Sequence, residues 1–159
     1  MKLEIKCINT TEFTQFKSVL ELLRNSFAFM EDRINPPSSL RLLNEQSLKE
    51  KAQQETLFVL NVDDQLAGCV FARNEIDFLY LGKLAVSADY RGQGLARRLI
   101  EKVEQHAREL GVENVEIETR VELIENQSLF EYLGYRKVAE NAHAGFTRAT
   151  SFRYRKSVN

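Results

Sequence analysis

The chain has no tryptophan, only two prolines, two cysteines and two histidines among 159 residues. So few cysteines exclude a disulfide-scaffolded fold. Cys7 and Cys69 both fall in segments that read as strands, and two reduced core thiols are expected. His106 and His143 stand far apart in sequence without metal-ligand spacing, so no metal is expected. The prolines are adjacent, Pro36-Pro37, and mark a single enforced helix break. No apolar run approaches the ~20 residues that a membrane-spanning helix needs. Charge excess of one sign is also missing: 22 Lys and Arg face 23 Asp and Glu, a formal net charge of −1. Nucleic acid and membrane surfaces, which select strongly basic proteins, are therefore not expected as partners. The start, Met1-Lys2-Leu3-Glu4-Ile5-Lys6, alternates like a strand rather than reading as a secretory leader, and the expected location is cytoplasmic.

What is present reads as one domain over residues 1–159, with 43% hydrophobic and 28% charged residues, enough to bury a core unaided. Leu3 to Ile8 suggests a first strand. Asn9 or Thr10 can cap a helix in which Phe13, Phe16, Leu20, Leu23 and Phe27 recur at helical spacing. A second helix ends near Gln54. Leu57–Val62 and Leu66–Ala72 read as an antiparallel pair around the turn Asp63-Asp64-Gln65, and Phe78–Val86 as the next strand. The segment from Gly94 to Leu110 is strongly amphipathic, with Leu95, Leu99, Val103 and Leu110 on one face and Gly111 as C-cap. Arg97/Glu101 and Glu104/Arg108 are spaced as i, i+4 ion pairs. Val115, Ile117 and Thr119 alternate in a strand that should lie parallel to Phe78–Val86. A short helix over Asn126–Tyr132 and strands over Gly134–Val138 and Thr147–Lys156 complete the chain. The order is β-α-α-β-β-β-α-β-α-β-β, an α/β domain with a mixed, mostly antiparallel sheet.

The most informative stretch joins the third of the central strands to the amphipathic helix: Leu84-Ala85-Val86-Ser87-Ala88-Asp89-Tyr90-Arg91-Gly92-Gln93-Gly94-Leu95-Ala96. Glycines let the backbone turn tightly and approach a ligand closely. The first helical turn that follows carries N–H groups without intrahelical partners, a ready site for phosphate or pyrophosphate. A Walker loop would need a Gly-Lys-Ser/Thr ending, which is missing. A dinucleotide fingerprint would need a third glycine where Arg97 stands. The consecutive strands from Leu57 to Val86 likewise exclude a doubly wound nucleotide-binding domain.

The pattern that fits is Arg-x-x-Gly-x-Ala, from Arg91 through Gly94 to Ala96, after a Leu-Ala-Val strand and before a long helix. It resembles the coenzyme A loop of the GCN5-related N-acetyltransferase (GNAT) superfamily, and the element order resembles that fold over nearly the whole chain. The resemblance implies a GNAT-like sheet whose two central parallel strands splay apart, flanked by helices. It implies acetyl-coenzyme A as cosubstrate, with the backbone of Gly92, Gln93, Gly94, Leu95, Ala96 and Arg97 at the pyrophosphate and Arg91 adding positive charge. Leu84, Ala85 and Val86 would pair with the pantetheine arm and polarise the thioester carbonyl. Leu133-Gly134-Tyr135 matches a family turn, and Asn126, with Ser128, Leu129 and Phe130, would lie along the pantetheine. The family commonly places a tyrosine where this chain has Phe130. A phenyl ring cannot protonate a leaving thiolate, so general acid help worth roughly 10²–10⁴-fold must come from elsewhere or be lost.

The implied activity is N-acetyl transfer to an amine by direct attack in a ternary complex. The alternative is a coenzyme A-binding module without catalysis, consistent with Phe130. An amine must lose its proton to attack, and Glu75, Asp77, Glu116, Glu118 and Glu122 lie on or beside the central strands. The sequence does not choose among them; Glu118, Tyr132 and His143 are the catalytic candidates, although helical spacing turns Tyr132 away from Phe130. His106 is expected to be packed and hydrogen-bonded. Met30–Ser39 and His143–Ser151 would form the two walls of an acceptor cleft for a small-molecule or peptide amine. The protein is expected to be a monomer or a homodimer joined through its last strand or first helices.

Overall fold

A computed structural model describes residues 1–159. Seven strands form one sheet: β1 (Leu3–Cys7), β2 (Thr56–Val62), β3 (Gln65–Asn74), β4 (Leu79–Val86), β5 (Asn114–Arg120), β6 (Arg136–Asn141) and β7 (Ser151–Ser157). Their spatial order is β1-β2-β3-β4-β5-β7-β6. Every neighbouring pair is antiparallel except β4 and β5. Four helices flank it: α1 (Phe16–Met30), α2 (Glu45–Gln54), α3 (Leu95–Leu110) and α4 (Ile124–Tyr132). This is the mixed, mostly antiparallel α/β architecture expected from the sequence.

Period-two alternation in the central strands builds two cores, one on each face. Leu57, Val59, Cys69 and Phe71 point toward α1 and α2. Phe58, Leu60, Val70, Leu79 and Leu81 point toward α3 and join Val115, Ile117, Phe130 and Tyr154. Because both faces are covered, β2 and β3 read as near-continuous apolar runs. Leu95, Leu99, Val103 and Ala107 seat α3 on the second of these cores, whereas Leu110, expected on the same face, is exposed at the helix end.

Several expectations shift. The helix α1 starts at Phe16, not at Asn9 or Thr10, because the Asn9 side chain is taken by a local turn. Its Oδ1 accepts from the Thr11 amide at 3.1 Å and the Thr11 hydroxyl at 2.8 Å. Phe13 sits before the helix and meets Phe16 edge-on at 4.9 Å. At the other end of the chain, β6 and β7 lie later than the propensities predicted, Arg136–Asn141 and Ser151–Ser157, leaving residues 142–150 as a connection. Between β5 and β6, β7 is paired on both sides and offers no free edge to a second copy. The Glu104/Arg108 pair does not form. Glu104 is buried and takes a 2.7 Å hydrogen bond from the Tyr135 hydroxyl and a 3.1 Å ion pair from Lys156 instead. Arg108 turns to the Val158 carbonyl. Tertiary partners outcompete a helical neighbour worth a few tenths of a kcal/mol.

The cysteines also part company. Cys69 is buried beneath α1, whereas Cys7 ends β1 exposed rather than in the core. Burial pushes the Cys69 thiol up to about 12. A thiol-exchange reagent at about pH 8 is therefore expected to titrate Cys7 alone in the native chain and both thiols after unfolding. A second equivalent reacting as fast as the first before unfolding would contradict the packing around Cys69.

Candidate functional site

The parallel contact between β4 and β5 is short. It joins Leu79, Tyr80 and Leu81 to Val115, Glu116 and Ile117, and no further. Beyond Leu81 the two strands diverge, so the edge of β4 that would face β5 has no partner strand from Gly82 to Val86. A bulge drives the divergence. Cys69 pairs with Ala85 and Phe71 with Gly82, so Lys83 and Leu84 together oppose Val70, and Lys83 takes a left-handed φ of 50°. A bulge strengthens local twist and turns the strand away from its neighbour. Nothing in Lys83 itself favours that conformation, so the surrounding sheet imposes it.

A cavity of about 650 Å³ fills the wedge. Leu84, Ala85 and Val86 form its β4 wall, and Asn126, Leu129 and Phe130 of α4 line its other side. Asn126 is fixed there by donating from Nδ2 to the Thr119 hydroxyl at 3.2 Å. Arg91 and Ala96 mark the loop end, where the Arg91 guanidinium lies 4.4 Å from the centre of the Phe29 ring. The remaining loop residues, Gly92, Gln93, Gly94, Leu95 and Arg97, are not part of the cavity wall, nor is Ser128. What the loop offers is backbone. Gly92 and Gly94 have φ of 78° and 75°, and a Cβ on either would meet nothing within 4 Å. Gly94 is the N-cap of α3 and supplies no side chain, leaving the first-turn amides uncapped. Both glycine positions are open, and the first-turn amides of α3 have no capping side chain, which suits a diphosphate.

Tyr80 and Glu118 occupy the floor of the wedge, on the α1 face of neighbouring strands. The Tyr80 hydroxyl donates to Glu118 Oε2 at 3.3 Å, and Asn141 and Arg153 donate to Oε1, both at 3.2 Å. Burial, reinforced by the Glu118 charge, raises the Tyr80 phenol to about 12, so it stays protonated at ordinary pH. Glu116, two residues earlier, is not a solvated strand carboxylate. It is 2% exposed and held by Arg155 Nε at 2.6 Å and by Arg153 at 3.4 Å. Glu75 pairs with Arg73 on the far turn of β3. Glu122 lies beside Arg148 at 3.8 Å, with its Oε1 buried and without a hydrogen-bond donor.

The other candidates separate cleanly. His143 lines the cavity, its Nδ1 hydrogen-bonded to the Thr150 hydroxyl. Tyr132 is 76% exposed on the opposite side of α4, beneath the Arg97 guanidinium at 6.0 Å, and does not reach the wedge. His106 packs edge-on against Phe58 at 5.4 Å, and burial lowers its pKa. The two expected cleft walls do meet. Arg148 donates to the Asn35 carbonyl at 3.3 Å, and Arg120 donates to the Pro36 and Pro37 carbonyls at 2.6 and 3.3 Å. Arg33 and Glu125 close the same side with an ion pair at 2.6 Å that lowers the Glu125 pKa. Sequence reasoning did not single out Tyr80, Arg33 or Arg120. The alternation of β4 and β5 puts Tyr80 and Arg120 opposite the core-facing residues, a signal that was available.

Residues 16–135 match the model of the acetyltransferase (GNAT) family. The chain belongs to this family. Its fold is shared over almost the full length of several solved GNAT structures, at low identity. The PaiA N-acetyltransferase from Thermoplasma acidophilum, solved with coenzyme A, matches at 14% identity and a TM-score of 0.80, with 99% of each chain covered. The ribosomal-protein-S18-alanine N-acetyltransferase from Escherichia coli matches at 20% identity and a TM-score of 0.69, covering 99% of this chain and 94% of that one. The IAA acetyltransferase from Bacillus cereus matches at 15% identity and a TM-score of 0.69, covering 98% and 99%. No curated protein matches significantly. No GNAT helix here is long and apolar enough to cross a membrane, and no three His, Cys, Asp or Glu side chains cluster as a metal site.

Proposed function

We propose that this GNAT chain transfers the acetyl group of acetyl-coenzyme A to an amine by direct attack in a ternary complex. The observation that carries the reading is the wedge itself: a 650 Å³ cavity that reaches the glycine loop at one end and has a paired phenol and carboxylate, Tyr80 and Glu118, on its floor. The cosubstrate supplies an activated acyl carbon and a thiolate leaving group. The amides of residues 93–97 receive its diphosphate, and Arg91 adds charge. The free edge of β4 over Leu84–Val86 hydrogen-bonds the extended arm as a partner strand would and polarises the thioester carbonyl. Attack forms the N–C bond and breaks the C–S bond. The proton leaving the amine goes to Glu118, directly or through water, and the thiolate takes one from solvent or from Tyr80, which recovers it from the protonated Glu118 across their 3.3 Å hydrogen bond. Tyr80 thus stands in for the phenol that Phe130 lacks. A cytoplasmic location belongs to the same proposal, as does a small-molecule or peptide amine as acceptor.

Phe130 favours one other reading, a coenzyme A-binding module without turnover. Calorimetric titration with acetyl-coenzyme A, followed by thiol-release assays against an amine panel, separates the two. Saturable binding with acceptor-dependent thiol release is expected. Binding with no release from any amine would select the module, and no binding at all would overturn both.

A further inference from the structure

Most arginines around the acceptor side of the wedge are matched by carboxylates; Lys83, also on the cavity wall, makes no ion pair. Arg33 is neutralised by Glu125, and Arg153 and Arg155 by Glu116 and Glu118. Two guanidinia, Arg120 and Arg148, are left with the single carboxylate of Glu122. That carboxylate lies 3.8 Å from Arg148, whereas Arg120 makes no ion pair and feels Glu122 only through space.

Arg120 lines the cavity and is part-buried. Burial lowers its pKa, the mark of a charge whose lost hydration is not fully replaced. Its protein contacts are two neutral carbonyls, those of Pro36 and Pro37. A guanidinium has five N–H donors arranged as a fork, and the protein engages two nitrogens of this one. A carboxylate brought in by a ligand would give this guanidinium the charge-assisted contact that the two carbonyls do not. Glu118 and Arg120 are two residues apart on β5, so both side chains leave the same face, roughly 7 Å apart at their Cα atoms. An acceptor whose amine sits at Glu118 can therefore place an acidic group a few bonds away on Arg120.

We infer that the acceptor is an amino-carboxylic acid, an amino acid or close analogue, with its amine at Glu118 and its carboxylate on the Arg120 guanidinium. The inference rests on the acetyl-transfer reading and narrows its substrate class. It disfavours simple polyamines, which bring only positive charge to Arg120, and peptide N-termini, in which the neighbouring carboxyl has become a neutral amide.

The test is a thiol-release assay with acetyl-coenzyme A and matched acceptors: a panel of free amino acids, the corresponding carboxamides, and short peptides with amidated C-termini. At least one free acid is expected to exceed its carboxamide by about tenfold to a hundredfold in kcat/KM, mainly through KM, the range for a charge-assisted contact. Arg120→Gln should collapse that ratio toward unity, and Arg120→Lys should keep part of it, since charge survives while the fork is lost. The ratio is measured within one variant, so it is insensitive to any loss of folded protein from releasing Pro36 and Pro37. Carboxamides or peptides that equal or surpass the free acids would overturn the inference while leaving acetyl transfer standing. An Arg120→Gln variant that loses acid and carboxamide equally would show Arg120 to be a strut only. Failure of every acceptor with acetyl-coenzyme A still bound would overturn the inference and select the binding module. Failure to bind acetyl-coenzyme A would reject the parent reading.

Discussion

Gly94→Glu is expected to weaken acetyl-coenzyme A binding by at least about 100-fold in calorimetry, with a native-like circular dichroism spectrum and a melting temperature changed by only a few degrees. Two effects act together. Position 94 has φ of 75°, and an L side chain there costs roughly 1–2 kcal/mol. The glutamate also brings a negative charge to the amides that begin α3, the place proposed for the diphosphate. The fold survives because a Cβ at this position meets nothing within 4 Å. Gly94→Ala separates the causes: it carries the backbone strain without the charge and is expected to weaken binding about tenfold or less. If Gly94→Glu binds as tightly as the native chain, the diphosphate does not lie on this loop.

Elements whose local and tertiary preferences agree were legible in the sequence. Helix α3 is the clearest: a four-residue spacing of leucine and valine, an uncapped glycine before it and Gly111 after it all select the same boundaries. Strands β2 to β4 were equally plain, because buried runs separated by Asp63-Asp64 leave few alternatives. Where side-chain chemistry offered two partners, local reasoning chose wrongly. Asn9 could cap a helix or close a turn, and Glu104 could meet Arg108 or Tyr135; in both cases only the folded neighbours decide. The bulge at Lys83 lay beyond sequence reasoning for a different reason. Nothing in Leu81-Gly82-Lys83-Leu84 demands a left-handed lysine, which follows from β4 having one residue more than β3 across that stretch.

The site was legible in the same uneven way. The loop could be read because its chemistry is backbone chemistry, set by glycine positions. Side-chain roles could not, because alternation along β4 and β5 says which residues share a face but not what covers it. Tyr80, Glu118 and Arg120 gain meaning only once the α1 face proves to be the open one and the segment around Pro36 and Pro37 closes its far end. The open face in turn depends on the bulge. Without the extra residue at Lys83, β4 would continue alongside β5 and its edge amides would be paired.

Glu118→Gln should lower kcat by roughly 10²-fold or more at neutral pH while changing affinity for acetyl-coenzyme A little. Glutamine keeps the shape and can still accept from Arg153, which has Glu116 as a second partner at 3.4 Å, so the floor of the wedge should hold. What disappears is proton acceptance. A lysine-like amine, with a pKa of about 10.4, is neutral in only about one part in a few thousand at pH 7. The defect should therefore shrink as pH rises toward the amine's own pKa, because deprotonated acceptor no longer needs the carboxylate. A loss caused by distortion would not respond to pH in that way. Tyr80→Phe is the companion measurement, removing the 3.3 Å hydrogen bond and the phenolic proton together. If Tyr80 protonates the leaving thiolate, its loss should fall on kcat and be larger for thioesters with more basic leaving thiols. A Glu118→Gln enzyme with unchanged kcat across the pH range would remove the carboxylate from the mechanism and leave proton transfer to solvent.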